Sequence, residues 1–387
     1  MREKPERKVF SLLGELGRLK RGKPGMVVGV CGCVAQVQAE ALGALPAVDL
    51  VLGPRNYGEL PRLLAEAQGR NGQALAALEW DRCIPEALPA RRASQITAYV
   101  NIAYGCGNYC AYCVVPYARG PLQSRHPEAV LEEVRGLLDA GYRQITLLGQ
   151  NVNAYGQDLP QAVDFPDLLE QVDALCDGQR LRFTTSHPQD VPPRLLEAIR
   201  DLPAVCEWLH LPLQAGDDEV LARMGRGYTG EQYADLVAQA RETIPGLAVS
   251  TDVMVGFPGE SEAQFESTYR LVRRIEFDQA FTFKFSPRPG TAAETMPEQV
   301  PAADKQRRLR RLAARVAHTS RQVNRRQLGQ GHEVLVEALD PKSPGHVRGR
   351  TRGNKLFILP GGPELIGQTL TARAEAAYLW GFRGTRG

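Results

Sequence analysis

The spacing of apolar residues divides the chain into helical and extended segments. In the first segment an apolar residue recurs every three or four positions, which predicts a helix that ends near residues 23–25. The recurring residues are Val9, Leu12, Leu13, Leu16 and Leu19. Continuous apolar runs then predict buried strands at 26–30 and 49–54, with a helix between them. This alternation indicates a parallel, doubly wound domain that is only partial, because two strands are few for a sheet covered on both faces.

From residue 96 onward the alternation of strand and helix becomes regular. Six strands are predicted at 98–102, 144–148, 181–185, 207–211, 247–255 and 279–283. Helical patterns lie between them at 127–140, 165–176, 230–243 and 261–275. Six such units predict an incomplete (β/α)6 barrel, whose chemistry is expected at the C-terminal ends of the strands. Residues 85–95 are rich in Pro, Arg and Ser and are predicted to form the linker before it.

The segment 305–330 is predicted to be a basic helix. It contains nine Lys and Arg residues and no Asp or Glu: Lys305, Arg307, Arg308, Arg310, Arg311, Arg315, Arg321, Arg325 and Arg326. Such a helix can simply have a solvated charged face. The absence of acidic residues favours a surface for a polyanion.

The last segment, 329–387, alternates short apolar strands with glycine turns, which predicts a small β-barrel. Its turns carry Lys342, Arg348, Arg350, Arg352 and Lys355. Basic loops suit nucleic acid, although a small β module is also a common inert appendage. The predicted fold class is therefore α/β in three parts: the partial doubly wound domain at 1–90, the barrel at 96–328 and the small β-barrel at 329–387.

Composition narrows the class of protein. Of 387 residues, 43% are apolar and 24% charged, which excludes a mainly disordered or collagen-like chain. The net charge of +3 is too small to indicate a partner by itself. No apolar run of about 18 residues predicts a membrane span, and the start lacks the apolar core of a secretory signal, so a cytoplasmic location is expected. In that setting the eight cysteines favour metal ligands or catalytic thiols over disulfides.

The strongest chemical signal is a group of three cysteines directly after the first barrel strand. Cys106, Cys110 and Cys113 have the spacing C-x3-C-x2-C. Thiolates are the natural ligands of iron–sulfur clusters, and three of them on a four-iron cluster leave one iron open to another ligand. Zinc is an alternative, but it would require a fourth Cys or His at finger-like spacing. Buried structural thiols are the remaining alternative.

This motif, with Tyr112 before its third cysteine, resembles the radical S-adenosylmethionine (SAM) superfamily. Further segments resemble its methylthiotransferases, namely 113–120, 124–125, 147–153, 210–216, 251–252 with 256–260, and 285–291. Residues 148–153 with 155–156 are most similar to the tRNA-modifying branch, the MiaB type. That family combines an N-terminal methylthiotransferase domain, a radical SAM barrel and a C-terminal TRAM domain, which matches the three predicted parts.

The resemblance implies that Cys106, Cys110 and Cys113 hold a [4Fe–4S] cluster whose open iron binds the methionine end of SAM. It also implies SAM contacts by Tyr112, Gly149, Gln150, Asn151 and Gly256. From the residues alone, Gln150 and Asn151 equally fit a turn, and 256–260 fits a tight strand-to-helix turn.

The implied partner is the anticodon stem-loop of tRNA, with an electron donor of the flavodoxin or ferredoxin kind. The modified base must leave its stack to reach the barrel, where Tyr117 and Tyr155 could stack on it or could belong to the core. A monomer without membrane contact is expected. The residues predicted to bind RNA are Arg307, Arg308, Arg310, Arg311, Arg350, Arg352 and Lys355.

These enzymes carry a second [4Fe–4S] cluster on three N-terminal cysteines, which is implicated in sulfur donation. Cys33 matches the third of these, and the other two have no counterpart. We interpret Cys31 as a small buried thiol at a strand end, and Cys83, Cys176 and Cys206 as core residues. Residues 2–9 fit the second half of a family motif, which predicts that the chain is truncated at its N-terminus.

The implied activity converts N6-isopentenyladenosine at position 37 of tRNA, beside the anticodon, to its 2-methylthio form. One SAM would donate the methyl group and another the radical that abstracts hydrogen from C2 of the base. Three alternatives remain open. They are methylthiolation of threonylcarbamoyladenosine in tRNA, methylthiolation of a ribosomal-protein aspartate, and RNA binding by a cluster-bearing protein without turnover.

Overall fold

The computed structural model describes residues 3–23, 25–68, 73–80 and 92–387. The chain divides into two compact units. The first comprises Met1–Arg91, Tyr104–Arg125 and Ser286–Thr295, and the second comprises Arg92–Ala103, His126–Phe285 and Met296–Gly387. Cys83 and most of the predicted linker at 85–95 lie outside the described residues.

The N-terminal part of the first unit is a small three-layer arrangement around a parallel sheet. Its elements are α1 (Glu3–Arg21), β1 (Gly29–Cys31), α2 (Cys33–Val37), α3 (Ala39–Gly43), β2 (Leu50–Leu52), α4 (Leu60–Ala67) and β3 (Leu75–Ala77). The strands pair in the order β1-β2-β3. Leu13 of α1 packs with Val30 and Val51 on one face, and Leu63 of α4 packs with Leu52 on the other. The predicted helix and both strands are confirmed, whereas β3 was missed because it is short and consists mostly of alanine.

The next segment carries the cysteine motif. It contains β4 (Thr97–Asn101), β5 (Ala103–Tyr104), α5 (Val115–Arg119) and β6 (Gln123–Ser124). The loop between β5 and α5 holds all three cysteines of the motif, so they follow a strand as predicted.

The second unit contains the barrel. After β4 its elements are α6 (Pro127–Asp139), β7 (Gln144–Leu148), α7 (Phe165–Asp173), β8 (Arg180–Thr184), α8 (Pro193–Asp201), β9 (Trp208–His210), α9 (Asp218–Met224), α10 (Gly230–Thr243), β10 (Ala248–Val255), α11 (Glu262–Ile275) and β11 (Gln279–Lys284). The parallel order is β4-β7-β8 and β9-β10-β11, and an isolated bridge between Leu181 and Val205 joins the two sets. The incomplete six-stranded barrel is therefore confirmed.

Helix starts in the barrel are fixed by the sequence. Reciprocal capping boxes begin α7, α10 and α11, where Asp164, Thr229 and Ser261 each pair with the residue three positions later. Along the strands, alternate residues such as Val100, Leu147 and Phe183 are fully buried, as expected for side chains under the helices. The residues between them form the inner face of the barrel.

The C-terminal part of the second unit follows α12 (Ala292–Thr295) and α13 (Ala302–Arg325), of which α12 belongs to the first unit. Strands β12 (Gly331–Leu339), β13 (His346–Thr351), β14 (Leu356–Pro360), β15 (Thr369–Tyr378) and β16 (Gly381–Arg386) close into a barrel in the order β12-β13-β14-β16-β15. Gly381 is needed where β14 meets β16, because a Cβ there would lie 1.9 Å from the Leu356 carbonyl oxygen. The predicted small β-barrel is confirmed. Within the described ranges, no helix has the length and apolarity to cross a membrane.

Candidate active site

The cysteine loop is fixed at both ends by its own backbone. Gly105 has a φ of +70°, and a Cβ there would lie 2.0 Å from the Pro121 carbonyl oxygen, so only glycine allows the loop to start this close to that segment. The amide of Cys106 donates to the Gly120 carbonyl at 3.2 Å, and that of Cys113 donates to the Cys110 carbonyl at 2.8 Å. The three thiols are therefore presented from one compact turn.

The donor set fits an iron–sulfur cluster better than zinc. Burial raises the pKa of the Cys113 thiol to about 11, and the charges of Cys110 and Cys106 also act to raise it. The three side chains are thus close enough to interact. In the described part of the chain, however, no three His, Cys, Asp or Glu groups converge on a point that could hold one metal ion. A zinc ion needs all its ligands within about 2.3 Å, whereas in a cluster each thiolate binds its own iron.

A second polar group in the first unit surrounds Cys33, which begins α2. Nε of Arg119, the last residue of α5, donates to Cys33 Sγ at 3.3 Å. Burial raises the pKa of the Tyr57 hydroxyl, and the charges of Cys31 and Cys33 raise it further. Cys33, Cys31, Tyr57 and Arg119 therefore form one cluster.

The cysteines outside the motif differ in their exposure. Cys31 ends β1 as expected, but it is exposed, so its interpretation as a buried thiol is wrong. Cys206 is buried, in agreement with a core role, and Cys176 is half-buried with its thiol 3.4 Å from the Val172 carbonyl.

Arg55, which sequence reasoning missed, fixes the segment that follows the cysteine loop. Its side chain is buried and donates to the carbonyls of Arg119 at 3.0 Å, Pro121 at 2.7 Å and Trp80 at 3.1 Å. A single arginine after a strand carries no recognisable pattern, because its three acceptors are distant in sequence.

In the second unit, the predicted SAM residues follow β7. A Cβ on Gly149 would lie 3.1 Å from Val152 Cγ1, so the turn is tight, and Gln150 is half-buried. Asn151 is 3% exposed and donates from Nδ2 to Asp190 Oδ2 at 2.6 Å. Its Oδ1 has no hydrogen-bond partner among the residues that the structure describes.

Further buried polar atoms that lack a partner in the described part of the chain lie after β7 and β8. Besides Asn151 Oδ1 they include both side-chain polar atoms of Asn153, Ser186 Oγ and His187 Nε2. Buried polar groups in native proteins are normally hydrogen-bonded, so a group of orphans indicates a missing ligand or water. Burial lowers the pKa of His187 to about 3, with Arg226 adding to the effect, so its ring is neutral near pH 7.

Amino, carboxylate and hydroxyl groups of a ligand such as SAM would complete orphans of this kind, which stand at the strand ends where barrel ligands bind. Ser186 and His187 were missed by sequence reasoning. Only their position after a strand, like that of Gln150 and Asn151, could have indicated them.

Gly256 has a structural role in its turn. Its amide donates to Glu260 Oε2 at 2.6 Å, and a Cβ would lie 2.4 Å from Lys305 Cγ. Arg308 Nη1 in turn donates to the buried Glu260 carboxylate at 2.8 Å. Because the amide is already occupied, the predicted SAM contact cannot use it.

Three of the residues predicted to bind RNA have internal partners instead. Arg308 is buried against Glu260, as just described. Arg352 Nε lies 2.7 Å from Glu207 Oε2, and Lys355 Nζ lies 2.7 Å from Asp278 Oδ1. Glu207 and Asp278 immediately precede β9 and β11, so both pairs attach the basic turn to the N-terminal ends of barrel strands. Burial and pairing argue against phosphate contacts here, which corrects the prediction for these three residues.

Backbone contacts extend this attachment. Arg182 donates to the carbonyls of Thr351 at 2.6 Å and Arg352 at 2.7 Å, and Arg180 donates to that of Arg350 at 2.6 Å. The turn between β13 and β14 therefore covers the N-terminal face of the barrel, the face that serves stability and not catalysis.

The other predicted RNA residues remain accessible to different degrees. Arg307 and Arg311 are exposed but pair with Glu262 and Glu266, and Arg310 is exposed. Arg350 is half-buried and donates to the Asn354 carbonyl at 3.0 Å. For these four residues RNA binding stays a prediction.

Aromatic residues near the motif also differ from expectation. Tyr155 is 1% exposed, so of its two possible roles it has the one in the core, whereas Tyr117 is exposed. Tyr109, which was not singled out, is exposed as well, and its ring meets that of Tyr117 edge to face at 6.3 Å. Tyr112 is half-buried.

Comparison with known proteins identifies the family to which the chain belongs. Residues 100–272 match the radical SAM superfamily and 325–385 match the TRAM domain. The radical SAM match implies SAM and a [4Fe–4S] cluster. The cobalamin-dependent S-adenosylmethionine radical enzyme OxsB, solved with aqua-cobalamin and S-adenosylmethionine bound, is similar with a TM-score of 0.51 at 12% identity over 76% of this chain and 44% of that one, which shows a shared fold.

Relatives in sequence are closer. The tRNA-2-methylthio-N(6)-dimethylallyladenosine synthase of Moorella thermoacetica is 46% identical over 99% of this chain and 87% of its own length. That of Pelotomaculum thermopropionicum is 44% identical over 98% of this chain and 86% of its own length. The chain belongs to the tRNA-2-methylthio-N(6)-dimethylallyladenosine synthase family, whose members are radical SAM tRNA methylthiotransferases.

Proposed function

We propose that this chain attaches a methylthio group to C2 of N6-isopentenyladenosine at position 37 of tRNA. The observation that carries the proposal is the three-cysteine loop after β5 in a chain that matches such a synthase over 99% of its length at 46% identity. The relatives at 40–46% identity bear this one name, which favours isopentenyladenosine over threonylcarbamoyladenosine or a ribosomal-protein aspartate.

Each part of the chain has a task in this proposal. Cys106, Cys110 and Cys113 would hold the [4Fe–4S] cluster, which when bound supplies the electron that turns SAM into a source of a hydrogen-abstracting radical. Asn151 and the orphaned atoms of Ser186 and His187 would bind and orient polar groups of SAM. Their burial keeps competing water away, which a reactive radical requires.

A second cluster is also part of the proposal, with Cys33 as one ligand and Arg119 donating a hydrogen bond to its sulfur. Among the described residues only Cys31 stands close by in sequence, so the set falls short of three thiolates. The proposal further includes three domains at 1–90, 96–328 and 329–387, a monomer in the cytoplasm and a flavodoxin-like or ferredoxin-like electron donor.

The test is to replace Cys106, Cys110 and Cys113 together by Ala in anaerobically reconstituted protein. Reductive SAM cleavage to 5′-deoxyadenosine and one cluster's worth of iron should both be lost, while Cys176→Ala serves as the matched control and keeps both. Undiminished 5′-deoxyadenosine would remove the assignment.

The substrate is tested by nucleoside mass spectrometry on two tRNAs. One carries isopentenyladenosine and the other threonylcarbamoyladenosine at position 37. We expect the 2-methylthio product only from the first. Tight RNA binding with no SAM cleavage on either tRNA would instead support the non-catalytic alternative.

A further inference from the structure

The inner face of the second unit carries a histidine–aspartate pair with no assigned role. His210 is the last residue of β9, and Ser250 and Asp252 lie on the adjacent strand β10, with Ser250 in register with His210. His210 Nδ1 lies 2.9 Å from Ser250 Oγ, which fixes the ring. Its Nε2 lies 3.8 Å from Asp252 Oδ2, which is too long for a hydrogen bond.

At this spacing the two groups do not hydrogen-bond to each other, so a ring nitrogen and a carboxylate oxygen stand side by side. His210 is 8% exposed, and the Asp252 side chain is 28% exposed, so solvent or a ligand can reach the carboxylate. One atom can donate and the other can accept.

An aromatic surface adjoins the pair. Phe281 of β11 is in register with Asp252, and its ring meets that of His210 at 6.2 Å with an interplanar angle of 70°. It is 44% exposed, unusual for a phenylalanine on a barrel strand. A planar ligand that presents a donor and an acceptor along one edge would use all three side chains.

We propose that His210 and Asp252 recognise the N6–H and N7 edge of the adenine that is to be modified. This inference rests on the proposed function and adds to it the residues that orient the base. Adenine presents N7 as an acceptor and N6–H as a donor on this edge, and an N6-alkylated base retains one N6–H. Asp252 Oδ2 accepts from N6–H, and His210 donates from Nε2 to N7.

This arrangement gives Ser250 a role and leaves C2 of the base accessible. With the proton on Nε2, His210 Nδ1 is an acceptor, so the Ser250 hydroxyl donates to it and selects that tautomer. C2 lies across the purine from N7. Gripping the N6–N7 edge therefore leaves C2 free, as methylthiolation at C2 requires.

The experiment is a binding cycle between enzyme and RNA. Dissociation constants are measured for an anticodon stem-loop carrying N6-isopentenyladenosine and for the same stem-loop with 7-deaza-N6-isopentenyladenosine. Reconstituted wild-type protein, His210→Phe, Ser250→Ala and the control Thr146→Val, on the inner face of β7, are compared. A lost hydrogen bond of this kind weakens binding about tenfold.

Wild type and Thr146→Val should bind the 7-deaza RNA about tenfold more weakly than the natural one. His210→Phe should bind both RNAs equally weakly, because the contact to N7 is already lost, and Ser250→Ala should show an intermediate ratio. A merely structural histidine would leave the tenfold ratio unchanged, and that result would overturn the proposal. So would a loss of SAM affinity in His210→Phe without loss of RNA affinity.

The proposed function is judged separately on the wild type. If it forms no 2-methylthio nucleoside on the isopentenyl stem-loop, the proposed function fails, whereas the ratio of dissociation constants still decides whether His210 contacts N7.

Discussion

The two ends of the six-stranded barrel differ in whether their buried polar groups have hydrogen-bond partners. At the N-terminal ends of the strands, Arg182, Arg352 and Lys355 each have partners at 2.6–2.7 Å. At the C-terminal ends, Ser186 and His187 each bury a polar atom that has no partner within the described ranges. Buried polar groups without hydrogen bonds lower stability, so they are retained where a ligand completes them. The hydrogen-bonded groups at the other end attach the C-terminal domain to the barrel.

The largest effect is expected at the satisfied end. Replacing Lys355 by Met should lower the free energy of unfolding by about 3 kcal/mol, because the Asp278 carboxylate, whose side chain is only 11% exposed, would lose its cation and Asn324 Oδ1 would lose its donor. Chemical denaturation measures the loss. Adding Asp278→Asn to the same chain should recover most of it, since the stranded charge is then removed.

The Lys355→Met variant also tests whether Lys355 stabilises the fold or binds RNA, as its charge predicts. The salt dependence of tRNA binding should be unchanged, because the buried ammonium does not reach a phosphate. Normal stability combined with a flatter salt dependence of tRNA binding would show instead that Lys355 contacts RNA.

At the unsatisfied end, Ser186→Ala should weaken SAM binding about tenfold, as expected for loss of a buried hydrogen bond to a charged ligand. The free protein should keep its stability, because the hydroxyl has no partner to lose among the described residues. Ser320→Ala is the matched control, since Ser320 also buries an unpartnered hydroxyl but lies on α13. Calorimetric titration with SAM should show no change for it, and equal weakening by both variants would contradict the assignment.

The buried histidine at this end predicts a pH dependence of stability. Because burial holds the pKa of His187 near 3, the unfolded chain takes up a proton below about pH 6.5 that the folded chain does not. The contribution is therefore fully present above pH 6.5 and is lost as the pH falls toward 3. Between pH 7 and 5 wild type should lose up to about 2 kcal/mol more than His187→Gln, measured by urea unfolding.

The smallest effect concerns α13, where paired and unpaired arginines occur on one helix. Arg321 and Arg325 are exposed and have no ion-pair partner in the described part of the chain, whereas Arg307 and Arg311 pair with glutamates. Neutralising the first two to Gln should lower the log–log salt slope of tRNA binding by about 0.7–0.9 per phosphate contact. Neutralising the second two should change it less. The reverse order would show that the glutamates release their arginines to RNA.

The elements of the barrel could be predicted from sequence because their signals are local. β7 occupies the predicted residues Gln144–Leu148, and the capping boxes mark the helix starts. Arg352 and Lys355 were wrongly predicted to bind RNA, because a count of charges along the sequence does not show which acidic residues of other elements pair with them. Glu207 and Asp278 are separated from Arg352 and Lys355 by 145 residues and 77 residues in the chain.

The orphaned atoms at the C-terminal ends were beyond sequence reasoning for a related reason. Whether Ser186 is buried, and whether its hydroxyl has a hydrogen-bond partner, depends on the tertiary structure. The cysteine motif lay at the other extreme, because three ligands within eight residues can be recognised without any fold at all.

The attachment of the turn at 350–355 has a consequence for how the protein is made. Synthesis proceeds from the N-terminus, so every barrel strand emerges from the ribosome before the carbonyls that Arg180 and Arg182 bind. A nascent chain that stops short of residue 350 leaves these guanidinium groups without those acceptors and leaves Glu207 and Asp278 without their cations. Deleting the TRAM domain would therefore appear first as aggregation of the barrel during expression, before any defect in RNA binding could be measured.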